Sequence, residues 1–425
     1  MICRSINSNI INLPVSATLG INEKSNRMIK EGRMVYKLGL GQSPFPVPEP
    51  VVRALKENAH QKDYLPVKGL ERLRETIAEY YKKSQGVEFD VENIIIGPGS
   101  KELMFILQLV FYGELLLPSP SWVSYDPQAR ILGRSVGWLK TTFEDKWLLQ
   151  PDVLDDYCNR FPKIPRVIIL NYPNNPTGLT YPVELLKELA DVARRHNIVI
   201  ISDEIYGELD HDGDHISIAK FYPEGTIISS GLSKWCGAGG WRLGTFAIPE
   251  GLSWLADKMA AVASETFTSV SAPIQYAAIR AFEFDDEIQD YLKNARRVLG
   301  AISDYIYSSF KNTGIEVHKA EGAFYYFVNF ENFRNGFEKK GIESGRDFCN
   351  KLLEKTGVAV LPGEDFGRDK SEISIRLAYV DFDGELALNQ ASKIEGELNE
   401  DFVRKFCKNT FDAIQKICSF VEENA

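Results

Sequence analysis

One lysine stands among small residues. Ser229-Ser230-Gly231-Leu232-Ser233-Lys234 follows an apolar run, and Gly237, Gly239 and Gly240 lead on to Trp241-Arg242-Leu243-Gly244. Glycine and serine let a backbone approach a bound group closely, and the planar fork of Arg242 suits phosphate or carboxylate. A lysine that is buried or flanked by cations loses basicity, so its free amine can condense with an aldehyde. The segment predicts a Schiff base formed beside a phosphate. The competing reading of Lys234 is a solvated loop residue.

Further chemistry-bearing residues follow other apolar runs. Gly97-Pro98-Gly99-Ser100-Lys101 joins Ile94–Ile96 to a helical pattern. Free N–H groups at a helix start bind anions, which makes Gly99, Ser100 and Lys101 phosphate candidates; Pro98 has no N–H to offer. Asp203, in Ser202-Asp203-Glu204-Ile205-Tyr206, comes directly after Ile198–Ile201, where it either caps the next helix or faces a ligand. Asn171-Tyr172-Pro173-Asn174-Asn175-Pro176-Thr177-Gly178 taken alone is a proline-rich turn. Trp122, in Pro120-Ser121-Trp122-Val123-Ser124-Tyr125, is a core aromatic or a stacking platform. Arg376 lies in the apolar segment Ile373–Leu377, where a charge needs an anionic partner.

The elements that must hold these residues alternate. Residues 71–84 read as an amphipathic helix ending near Gly86, 94–96 as a buried strand and 100–112 as a helix. Leu115–Leu117, Val167–Leu170, Ile198–Ile201 and Ile227–Ile228 are short, near-continuous apolar runs of the kind covered by helices on both faces. The fold class expected is α/β, with ligands at the carboxyl ends of a mostly parallel sheet. After residue 285 a helix over 286–311 leads to strands around 315–317, 324–329, 357–361 and 373–379, and 383–425 reads as helix. A large domain over 46–285 and a smaller α+β domain from 1–45 and 286–425 are expected.

Composition narrows the function. The 425 residues carry 49 Lys+Arg against 59 Asp+Glu, a net charge of −10, with 44% hydrophobic residues. With no long basic stretch, nucleic acid and anionic membranes are poor partners, and small-molecule chemistry becomes the default. Cysteines at 3, 158, 236, 349, 407 and 418 show no metal-ligand spacing and no disulfide framework, which suits a reducing, cytoplasmic compartment. The first acidic residue is Glu23, and Arg4 is the only basic one before Lys24, so an organellar address stays open.

The stretch Gly231–Gly244 resembles the lysine signature of the fold-type I, class I/II pyridoxal-phosphate aminotransferases, through Lys234, Gly237, Gly240, Arg242 and Gly244. Asn171–Gly178 is similar to that family's N-P-x-N-P-T-G element, and the remaining segments follow in the family's order from about Leu38 to Arg376. The resemblance implies a seven-stranded, mostly parallel sheet in the large domain and a cofactor, pyridoxal 5'-phosphate. It implies that Lys234, beside Ser233, forms the internal aldimine and later carries the proton between Cα and the cofactor. Arg242 would hold the phosphate, Asp203 the pyridine nitrogen, Asn175 and Tyr206 the phenolic oxygen, and Trp122 would stack on the ring. An anion beside the pyridine nitrogen keeps it protonated, so the ring can take up electrons. Arg376 would bind the substrate α-carboxylate, with Gly41 in close backbone contact. Tyr64, in Asp63-Tyr64-Leu65-Pro66, would reach the phosphate of the neighbouring subunit in a homodimer.

The activity so implied is transfer of an amino group between an L-amino acid and a 2-oxo acid. Two departures point away from aspartate as donor: the family position of the distal-carboxylate arginine falls near Thr268, and Ser100 stands where another aspartate-using subgroup has lysine. The alternative enzyme is a lyase or synthase of the same fold, of the cysteine-conjugate β-lyase or ACC-synthase type. A non-catalytic cofactor-binding regulator is a remote alternative, since only about 40 residues precede the first family element and the charge is wrong for DNA.

Overall fold

Short β-branched and leucine runs become strands wherever helices cover both faces. The structure is a computed structural model that describes residues 6–11, 13 and 15–425; Cys3 and Arg4 lie outside the described residues. In chain order the strands are β1 (Tyr36–Lys37), β2 (Ile94–Gly97), β3 (Glu114–Ser119), β4 (Val136–Lys140), β5 (Arg166–Asn171) and β6 (Val199–Asp203). They continue with β7 (Thr226–Gly231), β8 (Gly244–Ala247), β9 (Tyr325–Asn329), β10 (Val358–Ala359), β11 (Leu361–Pro362) and β12 (Ser374–Ala378).

Seven of them form the main sheet in the order β2-β8-β7-β6-β5-β3-β4. The ladders from β7 across to β4 are parallel, and β8 runs antiparallel to both neighbours. The α/β class and the mostly parallel seven-stranded sheet expected from the sequence are what the chain builds. Alternation explains why β5 reads as one apolar run: Val167 and Ile169 pack with Leu103 and Leu107, whereas Ile168 and Leu170 pack with Leu186 and Leu189. The helices Ser100–Val110 and Val183–Arg195 thus cover opposite faces.

A second sheet, β11-β12-β9, is antiparallel, and β1 pairs in parallel with β10. The 27-residue helix Asp286–Asn312 leads into this part, its first turn capped by the Asp285 side chain on the Ile288 amide. Buried residues of its inner face, from Ile288 to Phe310, join one continuous apolar cluster with Tyr325, Tyr326, Leu377 and the C-terminal Ile414 and Ile417.

Several local expectations change. Residues 315–317 form no strand; Ile315 and Val317 are apolar because they are buried in that cluster, without ladder bonding. The stretch 357–361 is divided between two sheets, β10 and β11. Residues 383–425 make three helices, Gly384–Ala391, Glu400–Phe406 and Lys408–Asn424, interrupted by Gly396 at φ 80° and by non-helical backbone at Cys407 (φ −121°, ψ 40°). β4, β8 and the helix Ala17–Lys30 have no counterpart in the sequence reading. β4 is an edge strand with alternate residues exposed, β8 has four residues behind a glycine-rich loop, and the helix is mostly polar.

Candidate active site

The carboxyl ends of β5 and β6 and the loops after β2, β3 and β7 converge on one cavity of about 470 Å³. Its wall includes Ser100 and Lys101 at the start of the helix Ser100–Val110, Trp122 beyond β3, Asn175 beyond β5, and Asp203 at the end of β6. Tyr206, Ser233, Lys234, Arg242 and Gly41 complete the set of sequence candidates that line it. Residues separated by nearly two hundred positions therefore meet because parallel strands deliver their carboxyl ends to one edge.

Lys234 Nζ donates a 2.7 Å hydrogen bond to the Gly41 carbonyl. Burial, with Arg376 and Arg242 nearby, pulls its pKa down to about 8, so about a tenth of it is free amine at pH 7, far more than an ordinary lysine offers. Asp203 is buried at the opposite electrostatic extreme: burial lifts its carboxyl to about 6 against the pull of two hydroxyl donors. Those donors are Tyr125, at 2.5 Å to Oδ2, and Ser229, at 3.3 Å to Oδ1. Asp203 is still an anion at pH 7.

The cavity is surrounded by cations. Arg242 adopts a left-handed backbone (φ 57°) and donates to the carbonyls of Gly239 and Pro98. Gly99 itself is not part of the wall. A Cβ there would fall 2.1 Å from Arg242 Nη2, and its φ is 96°, so only glycine lets the guanidinium cross the loop at this point. Lys101 Nζ sits 4.8 Å from the centroid of the half-buried Trp122 ring. Burial and Arg242 lower its pKa.

Arg376 lies behind this wall, fully buried in β12. Nη1 donates to Asn175 Oδ1 (3.3 Å), Nη2 donates to the Gly39 carbonyl, and Nε has no partner. The backbone carbonyl bonded to Arg376 is therefore that of Gly39, whereas Gly41 turns its carbonyl to Lys234. Among the described residues Arg376, Lys101, Lys234 and Arg242 make no ion pair, although most other arginines of the chain do. Four unpaired cations around one buried carboxylate form a site for anionic ligands. Tyr64 is outside this chain's cavity and is 90% exposed.

Sequence reasoning missed several members of the wall: Gln42, Tyr125, Asn171 and Ile205. Asn171 Nδ2 donates to the Asp203 carbonyl and its Oδ1 accepts from the Asn175 amide, which fixes the loop bearing Asn175 against β6. Tyr125 carried a usable signal, since it lies one helical turn beyond Trp122, and the two rings meet edge to face at 5.2 Å.

Comparison with known proteins agrees with this geometry. The sequence pattern of "Aminotransferase class I and II" matches residues 33–383. The chain is 34% identical over 373 residues to an aspartate aminotransferase of Pyrococcus horikoshii, covering 85% of this chain and 91% of that one. It is 30% identical to an asparagine–oxo-acid transaminase of Streptococcus mutans, covering 87% and 93%. Among solved structures, the aspartate aminotransferase of Thermus thermophilus with maleate superposes with a TM-score of 0.82 at 28% identity, covering 92% of this chain and 98% of that one. The chain belongs to the class I and II aminotransferase family, with its fold-type I architecture, and is a pyridoxal-phosphate-dependent enzyme that moves an amino group between an amino acid and a 2-oxo acid.

Proposed function

We propose that the amino donor is a dicarboxylic amino acid of the aspartate type, and that the residues gathered at the cavity divide the work as follows. The observation that carries the reading is Lys101, an unpaired ammonium in the cavity wall beyond the cations needed for a phosphate and an α-carboxylate. The names of the relatives, which include several aspartate aminotransferases, favour the same donor. Thr268 offers no charge, and Ser100 is no lysine, but Lys101, the next residue, supplies the missing cation.

The residues present fit the cofactor. An amine of pKa about 8 can condense with its aldehyde, a buried anion suits its pyridine nitrogen, and a helix N-terminus with Arg242 suits its phosphate. Pyridoxal phosphate supplies an aldehyde that links to amines and a ring that accepts the electron pair left when a bond to Cα breaks. Asp203, kept anionic by Tyr125 and Ser229, would hold the proton on the ring nitrogen. Ser100 and Arg242 bind phosphate, while Lys101 turns toward the side-chain carboxylate. Trp122 would stack on the ring face, and Asn175 and Tyr206 would donate to its phenolic oxygen. Arg376 exchanges its present bonds for the substrate α-carboxylate, which orients the Cα–H bond across the ring. Lys234 Nζ would take up that proton and return it on the cofactor side of the amino nitrogen.

We assign the cofactor-holding half to residues 46–285 and the half bearing Arg376 to 1–45 and 286–425. The enzyme acts as a homodimer, with the exposed Tyr64 reaching the phosphate end of the partner's site. Among the described residues no helix is long and apolar enough to cross a membrane. The described cysteines are buried thiols, which suits a reducing cytoplasm.

A donor panel tests the reading. Aspartate and glutamate should exceed alanine, aromatic and sulfur-containing donors in kcat/KM by about tenfold or more, in line with a carboxylate paired to a buried cation. Preference for a neutral donor overturns it, and ammonia release without an acceptor would indicate elimination.

A further inference from the structure

We propose that Tyr325 is a positioning residue that couples the substrate's α-carboxylate site to the cofactor's phenolic oxygen, through Arg376 on one side and Tyr206 on the other. The proposal rests on the roles given above to those two residues. Tyr325 belongs to β9 and is fully buried. Its hydroxyl lies 2.7 Å from the Tyr206 hydroxyl, across 119 positions of sequence. Its ring stands 4.9 Å from the Arg376 guanidinium, on the strand β12 that pairs with β9. Its hydroxyl also packs against the backbone of Gly41: a Cβ at Gly41 would fall 1.9 Å from the Tyr325 oxygen. Gly41 in turn accepts the hydrogen bond from Lys234. One side chain thus touches the Cα-proton carrier's acceptor, the carboxylate arginine and the phenol-facing tyrosine.

The backbone leading into Tyr325 is firmly held. Ala323 adopts a left-handed conformation (φ 55°) that is unfavourable for a residue with a Cβ. It is kept there by its amide, which donates to the Leu209 carbonyl, and by its own carbonyl, which faces His211 and Tyr379. Gly322 bridges to Asp210. The contacts to Leu209, Asp210 and His211 are made to the segment that follows Tyr206, and Tyr379 adds one from the end of β12, so the two tyrosines are tied through adjoining chain segments.

Proton arithmetic then assigns the direction of the shared hydrogen bond. Each hydroxyl has one proton to donate. When Tyr206 donates to an anionic phenolic oxygen, its own oxygen is left as acceptor, and Tyr325 becomes the donor. That second bond polarises the first and strengthens it. A phenolic oxygen held by stronger donors competes less for the proton on the neighbouring Lys234 nitrogen. Tyr325 therefore lowers the pH at which the Lys234–cofactor chromophore gives up its proton. The ring does separate work, because a flat electron-rich face beside a buried guanidinium stabilises the cation and fixes its plane.

Substitutions separate the two parts in the holoenzyme. Y325F keeps the ring and removes the hydroxyl: the pH midpoint of the chromophore should rise by roughly half a unit or more, while affinity for maleate, a dicarboxylate probe, changes less than about threefold. Y325L removes the ring as well and should weaken maleate binding about tenfold or more. Y206F, measured alongside, should raise the midpoint at least as much as Y325F. If Y206F raises it and Y325F does not, the coupling through Tyr325 is wrong. If Y206F leaves it unchanged, the role of Tyr206 falls and the proposal with it. If Y325L binds maleate as tightly as the parent, the link to Arg376 is wrong.

Discussion

Tyr125 donates a 2.5 Å hydrogen bond to Asp203 Oδ2, from the first turn of a helix to the end of a strand 78 residues away. Both groups are buried, so the bond acts where solvent screening is weak. It sets how much anion Asp203 offers at neutral pH, against a burial that alone would drive the carboxyl up.

Tyr125→Phe should therefore raise the pKa of Asp203 above about 6. A hydrogen bond to a charged group contributes on the order of 2 kcal/mol, so the anionic fraction of Asp203 at pH 7, and kcat/KM with it, should fall about three- to fourfold. The acid limb of the pH–rate profile reports it. That limb should move toward neutrality, and a limb that stays in place removes the role given to Tyr125.

Lys234 makes a prediction about stability whose sign differs from most active-site residues. In the cofactor-free chain its folded pKa, about 8, lies below the usual lysine value near 10.4. Below pH 8 the folded state carries a buried ammonium that the unfolded state would hydrate, so the residue is destabilising there. As pH rises from about 8 toward 10.4 the unfolded chain binds more protons than the folded one, and the penalty fades. Cofactor-free Lys234→Met should consequently show a higher urea midpoint than the parent at pH 7, with the gap closing by about pH 10. A gap of the opposite sign, or one independent of pH, would contradict the burial of this amine.

In the proposed function Lys101 carries the donor preference. Lys101→Met keeps length and apolar contact with Trp122 but removes the charge, and kcat/KM for aspartate should drop by about ten- to a hundredfold. The value for alanine should change by less than about threefold. Parallel losses for both donors would mean that Lys101 serves the phosphate instead.

Most of the site was legible because parallel α/β architecture keeps each element local. Asp203, Asn175, Lys234, Trp122 and Ser100 each stand within a few residues of the strand that presents them, so an apolar run followed by polar residues was signal enough. Partnerships were not legible. Nothing near Tyr125 or Tyr325 names Asp203 or Tyr206, since each pair is joined only by strand order or by the packing of one part of the chain on another. Arg376 shows the same limit. Its strand and its need for an anion were readable, but its present bonds to Gly39 and Asn175 depend on where residues 38–42 cross the cavity. In the fold, β8 and residues 315–317 misled for opposite reasons: one is a strand too short to show a pattern, the other is apolar without being a strand.

The central claim is that Lys234 holds the cofactor and gives it up to a dicarboxylic amino acid. Borohydride reduction of the purified holoenzyme, followed by peptide mass mapping, tests it most directly, with and without prior addition of aspartate. The account predicts a reduced cofactor adduct on Lys234, absent when aspartate precedes the reductant and restored when oxaloacetate follows it. An adduct on Lys101, or one on Lys234 that persists undiminished after aspartate, would contradict it.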